Sequence, residues 1–155
     1  MAAIEFKDVD IVFGDRRRKA LEQLDKGATR DEILGRSGAV IGAAGVNLSV
    51  ERGEICVLMG LSGSGKSTVL RAVNGLNPVT RGAVLVSHEG APVDVTRCDE
   101  ATLREIRMGT VSMVFQQFGL LPWRSVRENV GFGLEIRGIP KDERKRIVDE
   151  KLAMV

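Results

Sequence analysis

The sequence has few residues of the types that build metal centres or cross membranes. Its 155 residues include two cysteines, one histidine, one tryptophan, four prolines and no tyrosine. Cys56 and Cys98 are too few and too widely spaced to indicate a metal site, and Cys56 lies in an apolar run where we expect a buried, inert thiol. No apolar run approaches the roughly 20 residues that span a bilayer. The composition therefore argues against a metal centre built on cysteine and against a membrane-spanning protein.

The charge and the N-terminus narrow the class of protein further. A formal net charge of +2 is too small to indicate nucleic acid as the main partner. Hydrophobic residues make up 43% and charged residues 28% of the chain, which is typical of a globular protein of about one domain. The sequence begins Met-Ala-Ala-Ile-Glu-Phe, without the basic start or apolar core of a secretory signal. We therefore expect a soluble protein that stays in the cytoplasm.

A glycine- and serine-rich stretch lies between a predicted strand and a predicted helix. Residues 55–58 form an apolar run typical of a buried strand, and a helical pattern runs through residues 69–76. Between them, the sequence Gly-Leu-Ser-Gly-Ser-Gly-Lys-Ser-Thr at 60–68 fits the phosphate-binding loop pattern. Such a loop points backbone N–H groups into one concavity, where Lys66 would reach phosphates and the Ser67 hydroxyl would bind Mg²⁺. The alternative is a plain turn between a strand and a helix.

Other predicted elements flank this loop. Residues 4–13 alternate apolar and polar side chains, with an interruption at Lys7 and Asp8, and predict a half-buried strand, as do residues 46–50. Residues 15–36 predict two short helices, of which the second begins with a capping box at Thr29. Residues 110–115 are almost continuously apolar, which is typical of a central strand covered on both faces.

Three residues outside the loop are further candidates. Gln116 follows the predicted central strand, and ligands of parallel α/β sheets collect at the carboxyl ends of such strands. Its amide oxygen could contact a metal ion or a water, or the side chain could simply be solvated. Phe13 ends the first strand, where its ring could stack on a base or pack in the core. Ser125 begins a second capping box and predicts the start of a helix that runs toward Arg137.

With these motifs assembled, the chain resembles the ATP-binding subunit of ABC transporters. The likeness rests on the phosphate loop, on Met-Val-Phe-Gln at 113–116 and on Ser-Val-Arg-Glu-Asn-Val at 125–130. Within that family, segments 11–14, 31–34 and 132–135 are similar to the importers of glycine betaine, proline and choline. The resemblance covers essentially the whole chain. It implies an α/β fold, a P-loop NTPase (ABC ATPase) core with an antiparallel β subdomain and the start of an α-helical subdomain.

The resemblance also implies a division into domains. Residues 1–115 would hold the antiparallel subdomain and the N-terminal part of the ATPase core, with a helical insertion at about 15–40. Residues 116–155 would hold the glutamine loop and the first helices of the helical subdomain. The family's signature motif, its acidic Mg²⁺-binding strand, its catalytic glutamate and its switch histidine have no counterpart in the sequence. We therefore expect an incomplete fold, the N-terminal part of a longer ATPase.

The resemblance assigns a role to each matching position. Phe13 would stack on adenine, where many family members carry a tyrosine. Ser67 and Gln116 would bind Mg²⁺, and Gln116 would also sense the γ-phosphate through the metal or the attacking water; Gln117 is a less suitable candidate. Catalysis would depend on Lys66 and Gln116. The phosphates of ATP would be held by Gly60, Ser62, Gly63, Ser64, Gly65 and Lys66, assisted by Thr68.

The implied function is coupling of ATP binding and hydrolysis to import of a quaternary ammonium solute, namely choline, glycine betaine or proline. Two copies would sandwich ATP, and each would dock on a transmembrane permease at the inner face of the cell membrane. A periplasmic solute-binding protein would be an indirect partner, and no nucleic acid is expected. The apolar turn at 120–123 would lie near the permease, with Trp123 either in that contact or buried in the subdomain.

Two alternatives stay open at this level. The chain could be a nucleotide-binding module without ATPase activity, because half of the groups that position phosphoryl transfer are missing. It could instead be another phosphate-loop protein, such as a small GTPase or a nucleotide kinase. However, the chain lacks the Asn-Lys-x-Asp motif with which a GTPase recognises its base. The basic run at 16–18 is a poor match to the arginine-rich lid of a kinase.

Overall fold

The computed structural model describes residues 2–117 and 119–155. The chain divides into two compact units, Met1–Ser112 and Met113–Val155. The described residues of the first unit form an antiparallel sheet with helices packed on it, and those of the second unit form a pair of helices.

The sheet of the first unit has the strand order β2-β1-β3-β4. Its strands are β1 (Ala2–Phe13), β2 (Val40–Glu51), β3 (Arg81–His88) and β4 (Ala91–Asp94). The long β1 pairs antiparallel with both β2 and β3. Its register shifts after residue 6, close to Asp8, which has a positive φ of 47°. This irregularity lies where the alternation of the sequence is interrupted, and both strands predicted at 4–13 and 46–50 are confirmed.

Two helices lie between β1 and β2, as the sequence predicts. They are α1 (Arg17–Asp25) and α2 (Arg30–Ser37), here called the helical insertion. The capping box at Thr29 is confirmed: the Glu32 N–H donates to Thr29 Oγ1 at 3.3 Å, and the Thr29 N–H donates to Glu32 Oε2 at 2.8 Å. The insertion covers a small core of its own, whose buried members are Val12, Ala20, Ile33, Ala39 and Ile41.

The larger core of the first unit lies between the sheet and the helix that follows the phosphate loop. That helix is α3 (Lys66–Val73), and its buried residues Val69, Ala72 and Val73 pack with Phe6, Val9, Ile11, Val84 and Val86 of the sheet. A short α4 (Glu100–Glu105) continues into a turn of π-helix, Ile106–Thr110. Ile106 is fully buried in the same core, so this turn anchors the end of the first unit.

Two predicted strands are wrong. Residues 54–60 and 111–115 have no regular secondary structure, and Ile55 and Val114 are 89% and 97% exposed. The thiol of Cys56 is likewise exposed rather than buried. An apolar run predicts burial, but a strand forms only where another strand supplies its hydrogen bonds. Neither segment has such a partner among residues 2–117 and 119–155.

The second unit contains α5 (Val126–Ile136) and α6 (Lys141–Leu152). The predicted capping box at Ser125 is confirmed, since the Ser125 N–H donates to Glu128 Oε2 at 2.8 Å and the Glu128 N–H donates to Ser125 Oγ at 3.3 Å. Val148 of α6 is buried, and Arg127 of α5 pairs with Asp149 of α6. Within the described ranges, no helix combines the length and the apolar character needed to cross a membrane.

Candidate functional site

The phosphate loop depends on glycine at three positions. Gly60, Gly63 and Gly65 have φ values of 154°, 79° and 97°, which side-chain-bearing residues rarely adopt. Gly65 is the N-cap of α3, and no side chain makes a capping hydrogen bond to that helix end. The N–H groups of the first turn of α3 therefore have no side-chain cap, and uncapped N–H groups at a helix start can donate to an anion.

The side chain of Lys66 folds back over the loop that precedes it. Its Nζ donates to the carbonyl oxygens of Gly60 at 2.8 Å and Leu61 at 2.6 Å, and to Ser64 Oγ at 3.2 Å. No carboxylate in the described part of the chain forms an ion pair with it. The ammonium thus braces the loop through neutral oxygens, and no carboxylate competes with an incoming anion for it.

Phe13 lies beside the loop, because Gly42 of β2 brings three elements together. A Cβ on Gly42 would lie 2.5 Å from Phe13 Cε2 and 2.9 Å from Thr68 Cγ2, and a Cβ on Gly65 would overlap the carbonyl oxygen of Gly42. The ring of Phe13, the edge of β2 and the first turn of α3 therefore meet at Gly42. Phe13 and Thr68 both approach the position that a Cβ on Gly42 would occupy, so there is no space for a methyl group.

Gly42 is a site residue that the sequence analysis missed. The signal available was a run of small residues in β2, Gly-Ala-Ala-Gly at 42–45, in a strand that otherwise carries larger side chains. Such a run indicates close approach of another backbone. The pattern alone does not say which backbone approaches.

The remaining loop residues have different environments. Ser62, Gly63 and Ser64 are exposed in the turn of the loop. Ser67 is exposed in the first turn of α3, and its hydroxyl makes no hydrogen bond to any other described residue. Hydroxyl oxygen is a ligand type that Mg²⁺ accepts, so Ser67 fits the metal role expected of it. No cluster of three or more His, Cys, Asp or Glu side chains suited to a metal ion occurs in the described ranges.

Gln116 and Gln117 belong to the second unit, where both are exposed. Their proposed contact with metal, water or γ-phosphate stays a prediction. Leu120 and Trp123 of the apolar turn are 65% and 76% exposed. Burial of Trp123 within its own unit, one of the two alternatives from the sequence, is therefore wrong.

A cavity of about 390 Å³ adjoins the phosphate loop within the first unit. Gly60, Ser64, Gly65 and Lys66 form one wall, and residues of β2 form another. Arg30, the first residue of α2, also lines it. The helical insertion therefore takes part in the surroundings of the loop.

A second cavity, about 550 Å³, shares Ala44 with the first and is lined by Asp10 and Arg81, which belong to a charged cluster. Arg81 Nε donates to Asp10 Oδ2 at 2.5 Å, and its terminal nitrogens donate to Asp25 at 2.9 and 2.8 Å. The hydrogen bond from Arg81 lowers the pKa of Asp25. Asp10 is almost fully buried and also accepts from the Gly45 N–H at 2.7 Å. This cluster attaches the helical insertion to the sheet.

A glycine-rich loop that leads into a helix, with a lysine over the loop and an aromatic ring beside it, defines a phosphate-loop protein of the nucleoside triphosphatase class. Residues 43–155 match the family model for ABC transporters. The chain belongs to that family, which confirms the resemblance noted from the sequence and excludes the small GTPase and the nucleotide kinase.

Two relatives match nearly the whole chain. It is 40% identical over 152 residues to the glycine betaine/proline betaine transport system ATP-binding protein ProV of Salmonella typhimurium, a match that covers 98% of the chain and 37% of that protein. It is 41% identical over 155 residues to the glycine betaine/carnitine transport ATP-binding protein GbuA of Listeria monocytogenes, covering 100% of the chain and 38% of that protein. The chain thus spans less than two-fifths of the length of either relative.

A solved structure agrees with the fold. The dimeric post-hydrolysis state of the ATP-binding cassette MJ0796, bound to ADP and Pi, superposes with a TM-score of 0.73 at 27% identity. The match covers 97% of this chain and 56% of that one. The fold class expected from the sequence, an ABC ATPase core with an antiparallel β subdomain, is therefore confirmed.

Proposed function

We propose that this chain is the ATP-binding part of a subunit that couples ATP binding and hydrolysis to import of a quaternary ammonium solute. The observation that carries the proposal is the loop at 60–65, with Lys66 folded over it and Phe13 held beside it by Gly42. The names of the relatives favour glycine betaine as the solute over proline or choline.

In this proposal each site residue has a physical task. Phe13 stacks on the adenine, and the loop's N–H groups with the N-terminus of α3 hold the phosphates. Lys66 exchanges its carbonyl partners for the β- and γ-phosphate oxygens, and Thr68 assists at the α-phosphate. Ser67 holds Mg²⁺, which when bound neutralises charge on the phosphate oxygens. Gln116 would bind the metal or contact the attacking water, and through either would sense the γ-phosphate.

The proposed assembly contains two copies of the subunit and a transmembrane permease. The dimeric state of the MJ0796 cassette supports the pairing of two copies. The exposed apolar turn at 120–123 supports a contact with the permease at the inner face of the membrane. A periplasmic solute-binding protein would contribute indirectly, by delivering the solute to the permease.

A second candidate is a nucleotide-binding module that does not turn ATP over by itself. Two observations favour it for the 155-residue chain: segments 54–60 and 111–115 lie outside the sheet, and the chain spans 37% of the ProV length. Phosphoryl transfer depends on positioning and charge neutralisation from several groups at once. A site with part of those groups binds its ligand without accelerating the reaction.

The test is binding of a fluorescent ATP analogue with Mg²⁺ to the 155-residue chain and to its Lys66→Ala variant, with phosphate release measured in parallel. Binding that needs Lys66 supports the nucleotide site. Turnover that needs Lys66 supports the ATPase, whereas binding without turnover supports the second candidate. Equal binding by both chains would contradict a phosphate site at this loop.

A further inference from the structure

The cavity beside the phosphate loop has a wall that comes from the helical insertion. Arg30 begins α2, far from the loop in sequence, yet it lines the same cavity as Gly60, Ser64 and Lys66. The rest of the lining is contributed by small or apolar residues of β2 and of segment 58–59, by Asn47, by Gly65 and by Val69. A residue of the insertion thus shares a space with the groups assigned to the phosphates.

The charged residues that line this cavity favour the binding of an anion. Arg30 and Lys66 are the ionisable residues that line it, and both are positive. Arg30 forms no ion pair with a carboxylate anywhere in residues 2–117 and 119–155, and neither does Lys66. Two cations without carboxylate partners that line one cavity raise the positive potential inside it. A negatively charged group placed in the cavity is attracted by both.

The position of Arg30 is fixed by the helix that carries it. The capping box at Thr29 closes the helix end directly before Arg30, and Ile33 is fully buried under the next turn. Glu32, the acidic residue of the capping box, accepts a hydrogen bond from the Thr29 N–H and forms an ion pair with Arg36 at 3.7 Å. The neighbouring Asp31 does not line the cavity. The guanidinium therefore extends from a rigid backbone and is not neutralised by its own helix.

We propose that Arg30 binds the phosphate chain of the nucleotide, so that the helical insertion completes one wall of the nucleotide site. The inference rests on the proposed function, because it takes the ligand of the loop to be a nucleoside triphosphate. A guanidinium suits this role, since its planar fork of N–H groups can donate to two phosphate oxygens at once. The insertion becomes part of ligand recognition rather than a covering for the sheet.

The experiment measures nucleotide affinity by titration calorimetry on the 155-residue chain and four variants. Arg30→Gln removes the charge and Arg30→Lys keeps it. Arg36→Gln removes a charge from the same helix outside the cavity, and Lys66→Ala tests the loop itself. Each chain is titrated with Mg-ATP and with AMP, at low and at high salt. Circular dichroism and thermal melting check that each variant is folded.

We expect Arg30→Gln to weaken Mg-ATP binding about fivefold or more, because a charge-assisted contact is lost. Arg30→Lys should retain part of the affinity and Arg36→Gln all of it. The loss should be smaller for AMP, which has a shorter phosphate chain. It should also shrink at high salt, where the attraction is screened.

Two results would overturn the inference alone. One is ATP affinity in Arg30→Gln equal to that of Arg36→Gln while Lys66→Ala loses binding. The other is an equal loss in Arg30→Gln and Arg30→Lys together with lower melting temperatures, which would mean that Arg30 only supports the helix. Absence of ATP binding by the unaltered chain, or no effect of Lys66→Ala, would instead overturn the proposed function and this inference with it.

Discussion

Gly65 of the phosphate loop packs directly against the carbonyl oxygen of Gly42 in β2. A Cβ on Gly65 would overlap that oxygen, and Gly65 also has a positive φ of 97°. At Gly42 itself, the ring of Phe13 and the methyl group of Thr68 leave no room for a Cβ. The two glycines therefore hold the loop, the sheet and the aromatic ring at fixed spacing.

The first prediction concerns Gly42. The methyl group in Gly42→Ala would lie 2.5 Å from Phe13 Cε2, so the ring must leave its present position. We expect the affinity for Mg-ATP to fall about tenfold, because one stacking contact is worth roughly 1–3 kcal/mol for a base on an aromatic ring. Titration calorimetry measures the change.

The matched control for Gly42 is Gly35→Ala in α2, where an added Cβ meets nothing within 4 Å. Alanine in that helix should leave the affinity unchanged and raise helix stability by up to about 1 kcal/mol. Unchanged nucleotide affinity in Gly42→Ala would show that the position of Phe13 does not matter for binding.

The second prediction distinguishes two costs of replacing a loop glycine by alanine, namely backbone strain and steric overlap with a neighbouring backbone. Gly63 and Gly65 both have positive φ, but a Cβ on Gly63 meets open space. Gly63→Ala should therefore cost only the strain of a left-handed backbone, about 1–2 kcal/mol of unfolding free energy. Gly65→Ala adds an overlap with backbone and should cost at least about 1 kcal/mol more. Urea unfolding compares the two, and equal costs would contradict the close contact with Gly42.

The third prediction tests the charged cluster that attaches the helical insertion. Asp10 is almost fully buried and accepts from Arg81 Nε at 2.5 Å and from the Gly45 N–H at 2.7 Å. Asp10→Asn keeps the shape but removes the charge, so we expect a loss of about 1–3 kcal/mol of unfolding free energy. Urea unfolding measures it.

Asp25→Asn is the control for that cluster. It removes an exposed partner of the same Arg81 and should cost clearly less, since an ion pair open to water contributes little. A larger loss in Asp25→Asn than in Asp10→Asn would contradict the assignment of Asp10 as the buried anchor.

The fourth prediction is a dependence of stability on pH at the capping box of α2. The hydrogen bond from the Thr29 N–H, followed by that from its side chain, lowers the pKa of Glu32 below its usual value of 4.5. A carboxylate with a depressed folded pKa stabilises the fold above its unfolded pKa, and the contribution is lost as the pH falls through the folded pKa. Unfolding free energy should therefore decrease below about pH 4.5 as this contribution disappears.

Glu32→Gln keeps an acceptor for the capping bonds but cannot titrate. The difference in urea midpoint between the unaltered chain and Glu32→Gln should be largest near neutral pH and should narrow in acid. Glu143→Gln, at the start of α6, provides a control with the same change of charge. A gap that stays constant across the acid range would contradict the lowered pKa of Glu32.

Local patterns predicted the parts of the site that depend on neighbouring residues. The loop at 60–68 and the capping boxes at Thr29 and Ser125 are short motifs whose geometry follows from their own side chains and glycines. They could be identified from the sequence for that reason. The alternation of β1 and β2 gave the strands because one face of each is buried.

Contacts between elements that are distant in the sequence could not be predicted in the same way. The apolar runs at 55–58 and 110–115 indicate a need for burial, but the hydrogen bonds of a strand come from a partner strand that the run does not encode. Gly42 was missed because its importance arises from Phe13 and Gly65, which reach it from other elements. Arg30 was missed because a single arginine at a helix start has no pattern, and only the fold brings it to the cavity of Lys66.

The bonds from Lys66 to the carbonyl oxygens of Gly60 and Leu61 have a consequence for the energetics of ligand binding. In the proposed function the ammonium turns to a phosphate, and these two oxygens must then find water or another donor in exchange. Binding is therefore a replacement of partners, and its free energy is the attraction to phosphate minus the value of the bonds given up. The loss of affinity in Lys66→Ala consequently understates how strongly the lysine attracts the nucleotide.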